Sequence, residues 1–168
     1  LIWSTYFGGG EAELARSMAW DADNNFYVVG ETESDDMPVV EMEDAYFCGT
    51  LNNDVMPYVT DAFILRFNKD NHSLEWSTYF GGDNQDLAND IAFDEQGRLW
   101  ICGATVSTDL PIVNLDETFN QSTFPAGKRV MFWSMFNDNK ELEWSTFYGG
   151  DGFGWGYYLV NRSDNRLL

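Results

Sequence analysis

Short segments of alternating apolar and polar residues run along the chain, and each ends at a cluster of Asn, Asp and Gly residues. The segments are rich in aromatic and β-branched residues, which is the pattern of strands. No window shows a sustained helical period with capping residues, so we expect little helix. The strands predicted for one repeating unit are, in order, Leu87–Asp94, Arg98–Thr105, Val130–Asn137 (or Asp61–Asn68 in the preceding unit) and Leu74–Phe80.

The last of these strands recurs together with a double glycine. The sequence Trp-Ser-Thr-Tyr-Phe-Gly-Gly begins at Trp3 and again at Trp76, and a version with two aromatics exchanged begins at Trp144. A unit that is one small sheet must bury its faces against copies of itself. Four antiparallel strands per unit, with Gly and aromatic markers, are typical of a propeller blade. We therefore predict an all-β fold of β-propeller blades.

The spacing of the repeats predicts two full blades and parts of two others. The units cover about residues 1–13 (partial), 14–82, 83–150 and 151–168 (partial). Both ends of the chain therefore fall within a unit. Because propellers usually close with about four to eight blades, we expect a partial propeller that is completed by the rest of a longer polypeptide or by further copies.

The ordered motifs resemble the SBBP-type β-propeller repeat. The segments that show the resemblance are Trp76–Gly82, Leu87–Asp94, Gly97–Thr105, Asp109–Pro111 and Asp61–Asn68. It implies a propeller of about seven blades in bacterial surface or secreted proteins, which are commonly exported by the type IX system in gliding bacteria. The third unit departs from the pattern, because Arg162 and Asn165 replace the Asp and Gly of the first turn.

The charge of the chain excludes some partners. Its 28 acidic and 9 basic residues give a net charge of −19, which argues against nucleic acid and against attraction to an anionic membrane. We expect no direct membrane insertion. The best local acidic cluster, Asp21–Asn25, is interpreted as a hairpin turn and not as a cation site, because it lacks the length and terminal Glu of an EF-hand loop.

Residues for catalysis are few. The only histidine, His72, falls in a polar turn where no partner is evident. The pair Asp35–Asp36 could serve glycoside hydrolysis only if two carboxylates face each other across a sugar site. Cys48 and Cys102 lie in different units, so a disulfide is possible but unsupported. We therefore expect no catalytic, cofactor-binding or metal-binding residues, and no cofactor.

Two long connections, residues 33–60 and 106–129, are the more promising places for function. They contain five aromatic residues, namely Tyr46, Phe47, Tyr58, Phe119 and Phe124. We favour the interpretation that these aromatics anchor each connection on its own blade. The alternative is that they are exposed and stack on sugars or peptide partners.

The favoured function is a non-catalytic scaffold, extracellular or on a bacterial cell surface, for adhesion or protein–protein interaction through many weak contacts. Its expected partners are the remaining blades of the polypeptide or further copies, with surface proteins or glycans as further candidates. One alternative is a carbohydrate-active hydrolase or lyase, which predicts carboxylates clustered at one mouth of the channel. The other is a lectin that closes by oligomerisation, which predicts equivalent aromatic pockets at repeated positions.

Overall fold

The computed structural model describes residues 1–52 and 59–159 and shows two four-stranded antiparallel sheets. The first sheet, blade 1, consists of β1 (Glu13–Trp20), β2 (Phe26–Thr32), β3 (Asp61–Phe67) and β4 (Leu74–Phe80). The second, blade 2, consists of β5 (Asp86–Phe93), β6 (Leu99–Thr105), β7 (Val130–Phe136) and β8 (Leu142–Tyr148). Strands within each blade pair in chain order, and the described residues contain no helix. The predicted all-β fold of four-stranded blades is confirmed.

The two blades are alike in register as well as in strand order. Phe26 pairs with Phe67 in blade 1, and Leu99 pairs with Phe136 at the same place in blade 2. Each first strand has a β-bulge at the same position, between Ala15 and Ser17 in β1 and at the corresponding step in β5. A bulge increases the local twist of a strand. The shared twist allows one blade to stack on the other.

The blades pack face to face. We define the front face of each blade as the face that carries Val28 in blade 1 and Ile101 in blade 2. The opposite face is the back face. The back face of blade 1 lies on the front face of blade 2 and forms the main core. Its largest buried side chains are Tyr27, Ile64, Trp76 and Phe80 from blade 1 and Leu99, Ile101, Phe132, Phe136 and Phe147 from blade 2. Burial of each such side chain contributes about 1.5–3 kcal/mol, so the contact between the blades is a principal source of stability.

The long connections cover the outer edge of each blade. Val40 forms an antiparallel bridge with Ser77 on β4, and the amide of Tyr79 donates to the Cys48 carbonyl at 3.1 Å. In blade 2, Ser145 donates to the Val113 carbonyl at 2.9 Å. An uncovered edge strand invites pairing with other chains. Residues 33–52 and 106–129 protect the edges of β4 and β8 in this way.

Three of the five loop aromatics contact their own blade as predicted. Tyr46 packs edge-on against Phe80, with ring centroids 5.4 Å apart, and Phe124 packs in the same way against Phe147 at 4.7 Å. Phe119 is more exposed but also contacts its own blade, with its ring centroid 5.8 Å from that of Tyr148, whereas Phe47 is exposed. Tyr58 lies outside the described residues. The anchoring interpretation therefore holds for Tyr46, Phe119 and Phe124, and Phe47 departs from it.

Candidate functional site: the open blade faces and the boundary between the blades

The polar residues that recur in the repeat bind the backbone of the turn between blades. In this turn the amides of Gly82, Asp83 and Asn84 donate to three side chains at 2.7–2.8 Å. The acceptors are Asp86, Asp109 and Ser107, respectively. The equivalent turn before blade 1 has the same three bonds, from Gly9 to Glu13, from Gly10 to Asp36 and from Glu11 to Ser34. These recurring side chains are explained by the fold alone.

Asp21–Asn25 forms the hairpin turn between β1 and β2, as the sequence predicts. Asp21 Oδ1 accepts from the amides of Asp23 and Asn25 at 3.0 and 2.9 Å, and its Oδ2 accepts from the Tyr27 hydroxyl at 3.2 Å. Asp94 accepts from two amides in the same way in blade 2. Both Asp21 oxygens are therefore hydrogen-bonded within the turn and its own strand pair.

The front face of blade 1 is open. Met18 and Trp20 on β1 are each 57% exposed, whereas Ile91, at the position in β5 that corresponds to Met18, is 4% exposed. The difference arises because blade 1 covers the front face of blade 2 and no sheet covers the front face of blade 1. Single exposed apolar residues are common, but a contiguous apolar face marks a contact surface.

Residues 3–7 cover part of this front face. Trp3 packs on Phe67 with centroids 5.8 Å apart, and Phe7 packs on Phe63 at 6.2 Å. At the boundary between the blades, residues 76–80 make the equivalent contacts, Trp76 with Phe136 and Phe80 with Phe132. Residues 3–7 thus lie where the fourth strand of a preceding blade would lie. A cavity of about 390 Å³ remains between them and β2 and β3.

The back face of blade 2 is only partly covered. Tyr148 is 48% exposed, whereas Phe80 at the same repeat position is fully buried. The amide of Gly154 donates to the Arg129 carbonyl at 2.8 Å, as that of Asp86 donates to Thr60 at 2.7 Å. Residues 154–159 therefore follow the path that β5 takes across blade 1. Their aromatic side chains are largely exposed, namely Trp155, Tyr157 and Tyr158. The predicted continuation of the third unit beyond Leu159 lies outside the described residues.

A cavity of about 530 Å³ opens where hairpin turns of both blades meet. Lys140 is buried at its wall, with Nζ 5.7 Å from the centre of the Phe93 ring, and burial lowers the pKa of this lysine. Arg66 lies opposite and forms an ion pair with Glu75 at 2.6 Å. The carboxylates at the rim are Asp21, Asp23, Glu43, Glu95 and Asp138. The cavity is thus polar and lined by both signs of charge.

The other residues singled out in the sequence do not come together. His72 lies in the β3–β4 turn with φ of 58° and stacks on Trp3, with ring centroids 5.0 Å apart. Asp35 and Asp36 are both exposed, and Asp36 is used to hold the Gly10 amide. Cys48 and Cys102 are free thiols, and burial raises the pKa of Cys102 to about 12. None of these groups forms a catalytic pair.

Two buried carboxyl groups that sequence reasoning missed lie on either side of the Gly81–Gly82 turn. Asp61 begins β3 of blade 1 and Asp86 begins β5 of blade 2, and both are fully buried. Burial raises the pKa of Asp61 to about 8 and that of Asp86 to about 7. A signal was present in the sequence, because the third strand of blade 2 begins with Val130 where blade 1 has Asp61. The depth of burial could not be inferred without the fold.

In residues 1–52 and 59–159, no helix has the length and hydropathy to cross a membrane. Within the same ranges, no three or more His, Cys, Asp or Glu side chains converge as a metal-binding group.

The stacked four-stranded blades define the protein as a β-propeller module. Residues 2–36 and 75–111 match the family model of the SBBP beta-propeller repeat, and these two segments are similar to that repeat. Both matched segments begin one residue before a Trp-Ser-Thr-Tyr-Phe sequence and end in the region of the Ser and Asp that hold the turn between blades. No curated protein matches the chain.

Proposed function

We propose that the protein is part of a non-catalytic β-propeller scaffold, extracellular or on a bacterial cell surface, that serves adhesion or protein–protein interaction. The observation that best supports this proposal is the contrast between equivalent positions, since Met18 is 57% exposed and Ile91 is 4% exposed. The open front face carries apolar side chains at positions that are buried at the boundary between the blades. Their proposed partners are further blades of the same polypeptide or of other copies, and surface proteins or glycans would bind the assembled module.

The proposal is tested by sedimentation velocity of the chain over a wide range of concentration. We expect self-association, because the back face of one copy can cover the front face of the next in a head-to-tail contact. The double variant Met18→Asp, Trp20→Asp should remain monomeric, since each substitution places a charge on the front face. Leu115→Asp, in the exposed β6–β7 connection, is the matched control and should associate like the wild type. A wild-type chain that is monomeric and fully stable at every concentration would argue against these faces as contact surfaces.

A carbohydrate-active enzyme is the second candidate, and the polar cavity favours it. Glycoside hydrolysis uses two carboxylates that flank the sugar, and five carboxylates surround the cavity between the hairpin turns. Asp21 is committed to hydrogen bonds in its own turn, so the pair would come from Asp23, Glu43, Glu95 and Asp138. Release of reducing sugar from bacterial and plant polysaccharides, and its loss in Glu95→Gln, would support this candidate over the scaffold.

Repeated aromatic positions give no comparable support to a lectin. Trp76 and Trp144 occupy the same repeat position, and both are buried. The indole nitrogen of Trp76 donates to the Tyr46 carbonyl at 3.0 Å, and that of Trp144 donates to Asn120 Oδ1 at 3.0 Å. These aromatic side chains are therefore used inside the blades and do not line open pockets.

A further inference from the structure

The Asp61 and Asp86 carboxyl groups are buried with incomplete hydrogen bonding. Asp61 Oδ2 accepts from the Asn52 amide at 3.1 Å, and Asp86 Oδ2 accepts from the Gly82 amide and the Ser107 hydroxyl at 2.7 Å each. The second oxygen of each group, Oδ1, is buried and has no hydrogen-bond partner in the part of the chain that the structure describes. A charged carboxylate in this environment is costly, and such a group commonly takes up a proton instead.

The two groups are tied to the turn that joins the blades. A methyl group on Gly81 would lie 2.5 Å from the Asp61 carboxyl carbon, so this carboxyl packs directly on the turn backbone. Asp86 holds the amide of the next residue, Gly82, and its own amide donates to Thr60 across the boundary at 2.7 Å. One group belongs to each blade, and the turn lies between them.

At the next boundary along the chain, both carboxyl groups are replaced by apolar residues. Val130 begins β7 where Asp61 begins β3, and it packs beside Gly149 as Asp61 packs beside Gly81. Gly154 occupies the position of Asp86 and keeps the backbone hydrogen bond to the preceding blade, at 2.8 Å. The shared backbone contacts therefore do not require the two acids, which occur together at one boundary and are absent together at the other.

No cation neutralises the pair within residues 1–52 and 59–159. The titratable groups that face it are Asp109 in the β6–β7 connection, Tyr46 in the β2–β3 connection and Tyr79 on β4, and Asp83 in the turn lies against Asp109. All of them are neutral or negative. The Arg129 side chain, whose backbone lies beside Gly154, donates to the Gln85 side chain and stacks over Trp155 instead. Ionisation of the pair would thus add charge to an environment that is already negative.

We propose that Asp61 and Asp86 form a proton-dependent lock at the boundary between the blades. When both carboxyl groups are protonated, they pack as neutral groups and the turn holds the two blades together. When both ionise, repulsion and the cost of burying charge loosen the turn. The lock goes beyond the scaffold function and does not depend on it.

The direction of the pH effect follows from the proton count. The pKa of each carboxyl is higher in the folded chain than in the unfolded chain, so folding takes up protons at intermediate pH. The contribution of the two carboxyl groups to stability is therefore complete at pH values below the ordinary pKa of an aspartate. It declines as the pH rises from that value through about 7 and 8, where the folded-state groups ionise.

Thermal unfolding of the chain at a series of pH values between acid and mildly alkaline conditions tests the lock. The wild-type midpoint should fall by about 5–10 °C as both groups ionise. Asp61→Asn should match the wild type in acid and unfold at a higher temperature in alkali. Asp61→Val, which installs the residue of the next boundary, should behave in the same way and serves if the Asn variant folds poorly. Glu13→Gln, at the repeat position of Asp86 in blade 1, is the control and should keep the wild-type pH dependence.

Hydrogen exchange at the Asp86 amide gives a local readout, because this amide bonds across the boundary. After correction for intrinsic exchange, its protection should fall with rising pH in the wild type and not in Asp61→Asn. Equal pH dependence of the midpoint in the wild type and in both Asp61 variants would overturn the proposal. A second outcome would also overturn it. If calcium chloride raises the unfolding midpoint in alkali for the wild type but not for Asp61→Asn, a metal ion and not a proton neutralises the pair.

Discussion

Trp76 shows how one side chain of the repeat serves several parts of a blade. Its ring lies in the core between the blades, 6.4 Å from that of Phe136, and its indole nitrogen holds the Tyr46 carbonyl of the long connection. The next two residues continue this role, because Ser77 donates to the Pro38 carbonyl at 2.8 Å and Thr78 accepts from the Cys48 amide at 2.8 Å. The Trp-Ser-Thr sequence thus joins the core to the covered edge.

Substitution of Trp76 by alanine should destabilise the chain by about 3–5 kcal/mol, because Trp76 is fully buried and the space it fills cannot collapse easily. The measurement is the free energy of unfolding from denaturant titration. Trp3→Ala is the matched control, since Trp3 has the same repeat position but is partly exposed on the open front face. It should cost about 1 kcal/mol. A loss below about 1 kcal/mol for Trp76→Ala would show that this residue is not part of the core.

The sequence predicts on which face of the sheet each strand residue lies, but it does not predict the hydrogen-bond partners of the polar residues. Alternation along β4 places Trp76 and Phe80 on one face and Tyr79 on the other, and the structure confirms this arrangement. The partners of Ser77 and Thr78 lie in residues 38–48, which have no apolar period. Asp61 illustrates the same limit, because its burial depends on the neighbouring turn and connection. Periodicity reports on faces, whereas hydrogen bonds to irregular connections depend on the tertiary fold.

The bulged first strand and the glycine opposite it form one element in each blade. Gly103 on β6 pairs with Ala88 on β5 next to the bulge, as Gly30 pairs with Ala15 in blade 1. A Cβ on Gly103 would overlap the Leu87 carbonyl oxygen and lie 2.8 Å from the Phe132 ring. The repeated glycine is therefore explained by the close approach of a neighbouring strand.

Gly103→Ala should destabilise the chain by about 2–3 kcal/mol, because the added methyl group must push the β5 backbone or the Phe132 ring aside. Chemical denaturation measures the change. Gly150→Ala is the control, since a methyl group there meets no atom within 4 Å and the residue is exposed. Equal stability of the two alanine variants would mean that the bulge tolerates a side chain and that the glycine is not required by the sheet.

The boundary between the two blades differs from the outer faces of the molecule in the burial of its side chains. The main core takes side chains from both sheets, so neither blade buries its faces without the other. A second, smaller cluster lies on the front face of blade 1 and is covered by Phe7 and parts of the β2–β3 connection. The repeat predicted this arrangement in outline, because equal units imply equal contacts. It could not predict how far residues 3–7 and 154–159 would cover the outer faces.

An aspartate at equivalent positions of the two blades tests whether the boundary between the blades is the dominant core. Ile101 and Val28 occupy the same place on β6 and β2, but Ile101 is fully buried beneath blade 1 and Val28 is half-buried on the open face. Ile101→Asp places a carboxylate in the core between the blades and should prevent cooperative folding, since a charge buried there has no partner. Val28→Asp should cost only about 1 kcal/mol in the chain alone, because water still reaches the front face. Circular dichroism and denaturant titration of both variants give the comparison. If both variants unfold to the same extent, the two positions are equivalent in energy and the boundary between the blades is not the dominant core.

Val28→Asp also tests association between copies. We expect this variant to fold and to lose concentration-dependent association, because the front face of blade 1 is solvated in the single chain and is required for contact with the next blade.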